Sequence, residues 1–570
     1  MNRKYFNPID IIALGLIFAI FYFVFVGSRN YPKELIERRG IILSLRYLPL
    51  YSLYSILRVF IAFILSFIFA LSYGYLAYKN KTLEVFLIPI LDVLQSIPVL
   101  SFLPPVFYFF VSIFKGSIIG LELASIVLIF TGQVWNLVFS FYNSLKTEPR
   151  EFDDVAKINN LNFWERFTKL DLPHAAIGLI WNSMMSVAGG WFFLMACENF
   201  SILNQQYTLL GLGSFLAKAS EMGDIKMILV GLATLIIIIV LIDQFIWRPL
   251  IAWSTKFKME EKGEEEPSSI ILEWYQRSQI LNFISLNMVS PINKFISKLF
   301  SKKIEREENF TIEIIKKILS YVVFGFVFLF ILRGVEGLIK TIISVTWRDW
   351  ILIFKGGGFT LIRVILAVLI GYLWTIPVGV KVGINPKISK YAQPIAQILA
   401  SIPATALFPV ILLFFLNLKG GLQISSIILM ALGTQWYLLF NVIGGAKQIP
   451  KDFIELSKVF KLKGKNWWTI VVIPTIFPSL ITGGITAWGG AWNSSIVSEY
   501  VNFGGKIHQI TGLGSLISSA TEKGDIPLLT ASTLFMAIIV VLFNRLFWRR
   551  MYNLSEEKYH LEWNYVFTRS

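Results

Sequence analysis

The sequence predicts an all-α polytopic membrane protein made of two parallel six-span repeats, about twelve transmembrane helices in all. Three observations carry this. Hydrophobic residues make up 55% of the 570, charged residues only 15%, and mean hydropathy is +0.65. Apolar runs of the length that crosses a bilayer recur throughout, as at 11–26, 61–77, 228–246, 322–332 and 529–543 with their flanks. The chain also echoes itself. Pro149, Pro173, Trp191, Glu198, Gly211, Glu221, Asp224 and Trp247 each have an identical residue 301 positions later, at Pro450, Pro474, Trp492, Glu499, Gly512, Glu522, Asp525 and Trp548. Upstream the offset is 305, pairing Arg58 with Arg363, Pro98 with Pro403 and Pro104 with Pro409. Gln133 pairs with Gln435 at 302, so a short deletion in the second copy is expected between the two stretches. A unit this long is domain-sized, well beyond a solenoid repeat.

Spans are expected near 9–27, 53–77, 86–112, 119–143, 173–197 and 226–250, then near 318–340, 358–381, 391–416, 422–443, 474–498 and 526–548. The expected domains are a first repeat at 1–250, a charged linker at 251–317, a second repeat at 318–550 and a tail at 551–570. An even number of spans per repeat makes the two copies enter the membrane the same way, related by an axis along its normal. The opening Met1-Asn2-Arg3-Lys4 and the apolar run behind it imitate a signal peptide. No Ala-x-Ala cleavage site follows, and the chain continues into Arg29, Arg38 and Arg39, so the run reads as a retained first span.

Orientation follows from the basic residues. Lys79, Lys81, the 146–169 loop, Arg248, the linker, Lys381, Lys387, Lys390, the 447–465 loop, Arg549 and Arg550 all fall on one side. The positive-inside rule makes that side cytoplasmic, with both termini on it, in a cell membrane. The net charge of +16 is then a matter of topology and requires no nucleic acid. Segment 28–52, with five basic residues, falls outside and is expected to lie along the membrane surface. The linker, with Glu260, Glu261, Lys262 and Glu264 to Glu266, reads as a solvated cytoplasmic tether with an amphipathic helix around 274–284. A single cysteine, Cys197, excludes an intrachain disulfide, and the scattered His174, His508 and His560 make no metal cluster.

After the fourth span of each half comes a polar loop, 149–173 and 450–474. Each opens on a proline (Pro149, Pro450), follows it with acids and then carries lysine, which suits a short helix whose charges complement its dipole. Phe152, Val155 and Ile158, like Phe453, Leu456 and Val459, recur at a spacing of three and form an apolar stripe outside the bilayer. Such a stripe packs either on the protein's own spans or on a docked partner. Periodicity leaves both open.

The loops resemble the EAA loop of binding-protein-dependent ABC importer permeases: Glu-Ala-Ala, three residues, Gly, nine residues, Ile-x-Leu-Pro. Counting back from Pro173 sets Asp154, Val155 and Ala156 on the triplet, Asn160 on the glycine with Leu161 behind it, and Leu170-x-Leu172-Pro173 on the end. Counting back from Pro474 sets Glu455, Leu456 and Ser457 on the triplet, Lys461 on the glycine with Leu462 behind it, and Val471-x-Ile473-Pro474 on the end. The resemblance implies a coupling helix that seats in a groove of an ATPase subunit. The glycine is missing from both copies. Asn160 takes a left-handed turn cheaply; Lys461 does so less readily, so Gly464 is expected to take over the turn there.

Other segments are similar to the nitrate/sulfonate/taurine branch of that family. Leu94-Gln-Ser-Ile-Pro98 with Pro104, and Leu399-Ala-Ser-Ile-Pro403 with Pro409, resemble its proline-interrupted third span. Trp191 to Glu198 and Trp492 to Glu499 resemble the end of its fifth span, with the two residues seven apart on one helix face. Pro98, Gln133, Trp191, Glu198, Pro403, Gln435, Trp492 and Glu499 are the resulting candidates for a path or gate. For the prolines the plain alternative is a packing kink, and for the glutamates a structural hydrogen bond. Gly211-Leu-Gly213 to Asp224 and its copy resemble the outer loop before the sixth span, with the glycines as turn formers.

No Gly-x-x-x-x-Gly-Lys-Ser/Thr loop occurs, and Gly356-Gly357-Gly358 lacks the lysine and reads as a flexible approach to a span. No hydrolase triad appears, so the chain is expected to be no enzyme and to bind no cofactor itself, with ATP held by a partner. The resemblance implies a fused transmembrane permease that moves a small solute, by analogy an anion, by alternating access. It further implies two copies of an ABC ATPase subunit and an extracytoplasmic solute-binding protein as partners. An ion-coupled secondary transporter of six plus six spans also fits the repeat, but leaves the paired loops without a purpose. A membrane scaffold fits worst, giving no reason for two proline-broken spans.

Overall fold

The computed structural model describes residues 40–96, 98–114, 117–149, 151–202, 205–257, 270–278, 282–283, 286–287, 290–301, 336 and 339–559. The expected span at 9–27, nearly all of that at 318–340, segment 28–39, His560 and the end of the tail lie outside the described residues.

Among the described residues the first half runs through helices α1 (Leu48–Lys79), α2 (Lys81–Ser96), α3 (Leu103–Ile113), α4 (Ile118–Lys146), α5 (Glu151–Ile158) and α6 (Phe163–Glu198). A hairpin of β1 (Asn199–Ile202) and β2 (Gln205–Thr208) follows, then α7 (Leu212–Met222) and α8 (Ile225–Phe257). The linker contributes α9 (Ile270–Arg277) and α10 (Ser290–Ser301). The second half repeats the order as α11 (Trp347–Ile384), α12 (Pro386–Ser401), α13 (Ala404–Phe415), α14 (Gly421–Lys447), α15 (Lys451–Val459), α16 (Gly464–Ser498), β3 (Tyr500–Phe503), β4 (Lys506–Gln509), α17 (Leu513–Lys523) and α18 (Ile526–Ser555). Among the described residues eight helices are long and apolar enough to cross a bilayer, and nine spans result if the pair α12–α13, bent by 83° at Ile402 and Pro403, is one. In the first half the matching break falls at Pro98.

Local chemistry fixes these boundaries. Ser117, Asp224, Thr346 and Asp525 cap their helices through side-chain oxygens. Gly223 and Gly524, at φ 66° and 72°, close α7 and α17 in the left-handed conformation. Each half also carries two π-helical turns in the same places, at Phe167–Asp171 and Trp468–Val472, and at Asp243–Trp247 and Asn544–Trp548. Within each half the long helices pack as α1–α4–α6 and α11–α14–α16. Outward faces repeat too: Ile61, Ile64, Leu65 and Ile68 are exposed on α1, and Leu366, Leu369, Ile370 and Leu373 on α11, the stripe a lipid tail covers.

Three sequence expectations change. The glycines 356–358 lie inside α11, which begins at Trp347. Gly356 faces the backbone of Gly512 and Gly357 the ring of Phe535, so they are packing sites within a span. The register shift is a single step between Phe110 and Gly120. Gly120 closes on the Phe110 carbonyl as Gly421 closes on that of Phe415, giving offsets of 301 and 305 on either side of the step. Hence the counterpart of Gln133 is the buried Thr434, and the match to Gln435 is an accident of sequence. The two hairpins are small additions to an all-helical design. Gly504 and Gly505, at φ 59° and 71°, form the tight turn of the second.

The halves interlock. Thr405 Oγ1 on α13 donates to the Phe192 carbonyl of α6 at 2.9 Å, and Gly504 N donates to the Ser220 carbonyl at 3.0 Å.

Candidate functional site

The two loop helices close with one geometry. Asn160 N donates to the Lys157 carbonyl at 3.1 Å and Leu161 N to that of Ala156 at 2.9 Å, the Schellman arrangement. Lys461 N bonds the Lys458 carbonyl at 3.1 Å and Leu462 N that of Ser457 at 2.8 Å. Asn160 and Lys461, at φ 48° and 50°, are the non-glycine residues with positive φ among those described. Lys461 therefore makes the turn itself. Gly464 also has positive φ, 55°, but three residues further on, where it opens the next helix.

The apolar stripe divides in two. Phe152 packs on His174 with ring centroids 5.7 Å apart, and Ala156 is buried. Phe453 and Ile454 join a core with Ile449, Trp467 and Val472. The other members face out: Val155 and Leu456 are exposed, and Ile158 and Val459 are 79% and 73% exposed. Asp154 and Glu455 are exposed beside them. Each loop thus presents an acidic residue and two apolar side chains to whatever lies beyond it.

The two loops are held differently. In the first, Arg166 donates to Asp153 at 2.5 Å, to Asp171 at 3.3 Å and to Glu148 at 3.4 Å. Burial and the Asp171 charge push the Glu148 carboxyl up to about 7 against the pull of Arg166, while the Arg166 hydrogen bond lowers that of Asp153. At the same places the second half has Trp467, Ile454, Val472 and Ile449, so an ion cluster is replaced by a hydrophobic one.

Glu198 and Glu499 belong to a pair of buried clasps. Glu198 accepts from Arg58 Nη1 at 2.6 Å, Ser55 Oγ at 2.7 Å and Gly213 N at 2.7 Å. Glu499 accepts from Arg363 Nη1 at 2.6 Å, Thr360 Oγ1 at 2.8 Å and Gly514 N at 2.9 Å. Ser55 and Thr360 also accept from Leu212 N and Leu513 N. Each clasp ties the first long helix of its half to the end of α6 or α16 and to the start of α7 or α17. Gly211 and Gly512 are extended, and what demands glycine is space: a Cβ on either would overlap the glutamate carboxylate. Sequence reading found Glu198 and Arg58 as separate echoes and missed that they meet.

A cavity of about 180 Å³ lies between the halves. Gln95, Val99, Gly132, Trp135, Asn136 and Phe192 line it from the first half, and Pro403, Gly433, Trp436, Tyr437, Thr486 and Asn493 from the second. Among the described residues no charged side chain lines it. Of the path candidates, Pro403 is on its wall and Pro98 adjoins the lining Val99. Gln133 is buried against Gly190, and Gln435 accepts from Trp374 Nε1 at 3.0 Å. Trp191 and Trp492 are buried away from the cavity, and Glu198 and Glu499 are in the clasps. The fourth spans reach the cavity through other residues, Trp135 and Trp436 among them, and not through the glutamines. No signal but their 301-residue spacing pointed to these tryptophans.

Comparison with known proteins agrees with this layout. The family described as "binding-protein-dependent transport system inner membrane component" matches the chain twice, over residues 62–246 and 367–556. A bicarbonate transport system permease protein of Synechocystis sp. is 29% identical over 180 residues, 32% of this chain and 60% of that protein. A nitrate import permease protein of Synechococcus elongatus is 26% identical over 230 residues, 37% of this chain and 79% of that protein. A putative aliphatic sulfonates transport permease protein of Bacillus subtilis is 24% identical over 200 residues, 35% of this chain and 69% of that protein. The match spans less than two thirds of the bicarbonate permease's length.

Proposed function

The chain belongs to the family of binding-protein-dependent transport system inner membrane components, and we propose that it is the fused permease of an ATP-driven importer for a small anion. Its two halves stand where such a system would otherwise need two chains. The observation that carries the reading is the pair of loop helices, which end in one capping geometry and hold Val155 with Ile158, and Leu456 with Val459, out from the protein. Exposed apolar side chains on matched helices call for a matched partner. Two ATPase subunits dock there, at 149–163 and 450–464, which makes that face cytoplasmic along with both termini. A solute-binding protein meets the opposite face, where the hairpins lie. The cavity between the halves is the solute's path, and closure of the ATPases rocks the halves around it. Bicarbonate, nitrate and sulfonates, named for the relatives, supply the substrate class.

The test replaces Asp154 and Glu455 with lysine and measures ATPase co-purification. Association is expected to fall; undiminished association would sink the docking assignment. Uptake that survives ATP depletion and collapses with an uncoupler would instead favour an ion-coupled transporter.

A further inference from the structure

The linker has no part in the importer described so far, yet its helix α10 is bonded to the first loop. Asn162 Nδ2 donates to the Ser297 carbonyl at 3.1 Å and to Ser297 Oγ at 2.9 Å, and Trp164 Nε1 donates to Asn293 Oδ1 at 3.1 Å. Asn293 and Ser297 are four apart and share one helix face.

Asn162 and Trp164 stand where the two loops diverge most in charge. Their counterparts 301 positions on are Lys463 and Lys465, and Asn160 corresponds to Lys461. Residues 151–166 hold four acids and two bases, a net of −2, whereas 452–467 hold two acids and four bases, a net of +2. The three second-loop lysines are exposed beside Phe460, itself 71% exposed. Helix α10 carries a similar set. Lys294 and Lys298 each follow a bonded residue, so both sit about 100° round the helix, on the same side of the contact. Both are exposed, and Phe295 between them is 66% exposed.

Resting on the importer reading, we infer that α10 is a third docking element, which gives the first loop the lysines that the second loop carries in its own sequence. Its occupant is the ATPase subunit, through an acidic patch at the rim of the docking groove. With α10 in place, two exposed lysines stand beside a loop whose own net charge is −2. One kind of ATPase subunit, presenting one acidic patch, then meets lysines at both loops. The alternative anion is a lipid headgroup. The ATPase is favoured because α10 seats on the very residues that replace the second loop's lysines.

The experiment uses the full chain in nanodiscs of uncharged lipid and the ATPase subunit that co-purifies with it from native membranes. ATPase affinity is measured for wild type, K294E/K298E, K463E/K465E and the four-fold variant. Each pair is expected to weaken binding roughly fivefold or more, with a shallower salt dependence, and the four-fold variant to weaken it further. N293A/S297A removes two of the three bonds from the linker side, leaving charge and the Asn162 cap of the loop intact, and should reproduce part of the loss seen with K294E/K298E. Wild-type affinity in K294E/K298E alongside a loss in K463E/K465E overturns the inference and leaves the importer reading standing. An effect of K294E/K298E that appears only when anionic lipid is added assigns α10 to headgroups and overturns it as well. Failure of any ATPase to co-purify with the wild-type chain removes both.

Discussion

Arg58 and Glu198 are 140 positions apart in sequence and 2.6 Å apart in space, and Arg363 repeats the bond to Glu499 at 2.6 Å. Both glutamates are fully buried. Removing one partner of such a pair leaves an uncompensated charge at a cost of about 3–5 kcal/mol. Arg58→Met and Arg363→Met are therefore expected to lower the thermal midpoint of the detergent-purified protein sharply. Combining Arg58→Met with Glu198→Met should recover only part of the loss, because it removes the unpaired carboxylate but leaves Gly213 N without its acceptor and Glu122 without Arg58. Unchanged melting in Arg58→Met would show that the clasp is not structural.

The clasp makes a second, opposed pair of glycine predictions. Gly211→Ala sets a methyl on the Glu198 carboxylate and should destabilise about as much as losing Arg58. Gly358 has open space around its Cβ position within α11, so Gly358→Ala should be neutral or stabilise by about 0.5–1 kcal/mol through helix propensity. Equal melting losses in the two variants would contradict the packing described for both.

The parts of this molecule legible in the sequence are those that act locally or by repetition. Pro98 and Pro403 announced the broken third spans because proline removes a donor wherever it falls. Asp153 and Asp154, and Asp452 in the second copy, announced the loop helices because first-turn acids are a helix signal on their own. The clasp was illegible for the opposite reason: Arg58, Glu198 and Gly213 meet only once three elements pack. Gln133 misled because identity at offset 302 said nothing about which face it turned to, and burial shows Thr434 in its place. The second hairpin was half legible, since Gly504-Gly505 is a turn signal, but four-residue strands are too short for an alternating pattern.

Lys461 holds φ 50°, a conformation that costs an L-residue about 1–2 kcal/mol and glycine almost nothing. Lys461→Gly is expected to slow hydrogen exchange at the end of α15, with Leu462 N, which closes the turn, most affected. Asn160→Gly should gain less, because asparagine visits this region more readily. Faster exchange in Lys461→Gly would mean that the lysine side chain, and not the turn, sets local stability.

The cavity gives a prediction that separates passage from docking. Asn136 lines it at the interface of the halves, far along α4 from the loop helices. Asn136→Trp places an indole in a space of about 180 Å³. Uptake should fall at least roughly tenfold, while ATPase co-purification stays at the wild-type level. A fall in both would mean that the substitution disturbs the fold of α4, and unchanged uptake would move the path elsewhere.

Glu148 makes the two loops differ in their response to pH. Its folded-state carboxyl titrates at about 7 against an ordinary 4.5, so between those values the folded protein holds a proton the unfolded chain has lost. A raised carboxyl contributes stability that is fully present below pH 4.5 and is lost as pH rises through 7. The melting temperature of the purified protein is expected to fall from pH 5 to pH 8, and Glu148→Gln, which cannot ionise, should flatten that part of the slope. Asp153 acts with the opposite sign, because Arg166 lowers its carboxyl. Its contribution is present above the ordinary 3.8 and is lost only as pH falls below it, outside this window. Ile449, at the matching place in the second half, has nothing to titrate, so protection of 149–163 from hydrogen exchange should change with pH while protection of 450–464 does not. A slope that persists in Glu148→Gln would place the titrating group elsewhere in the Arg166 cluster.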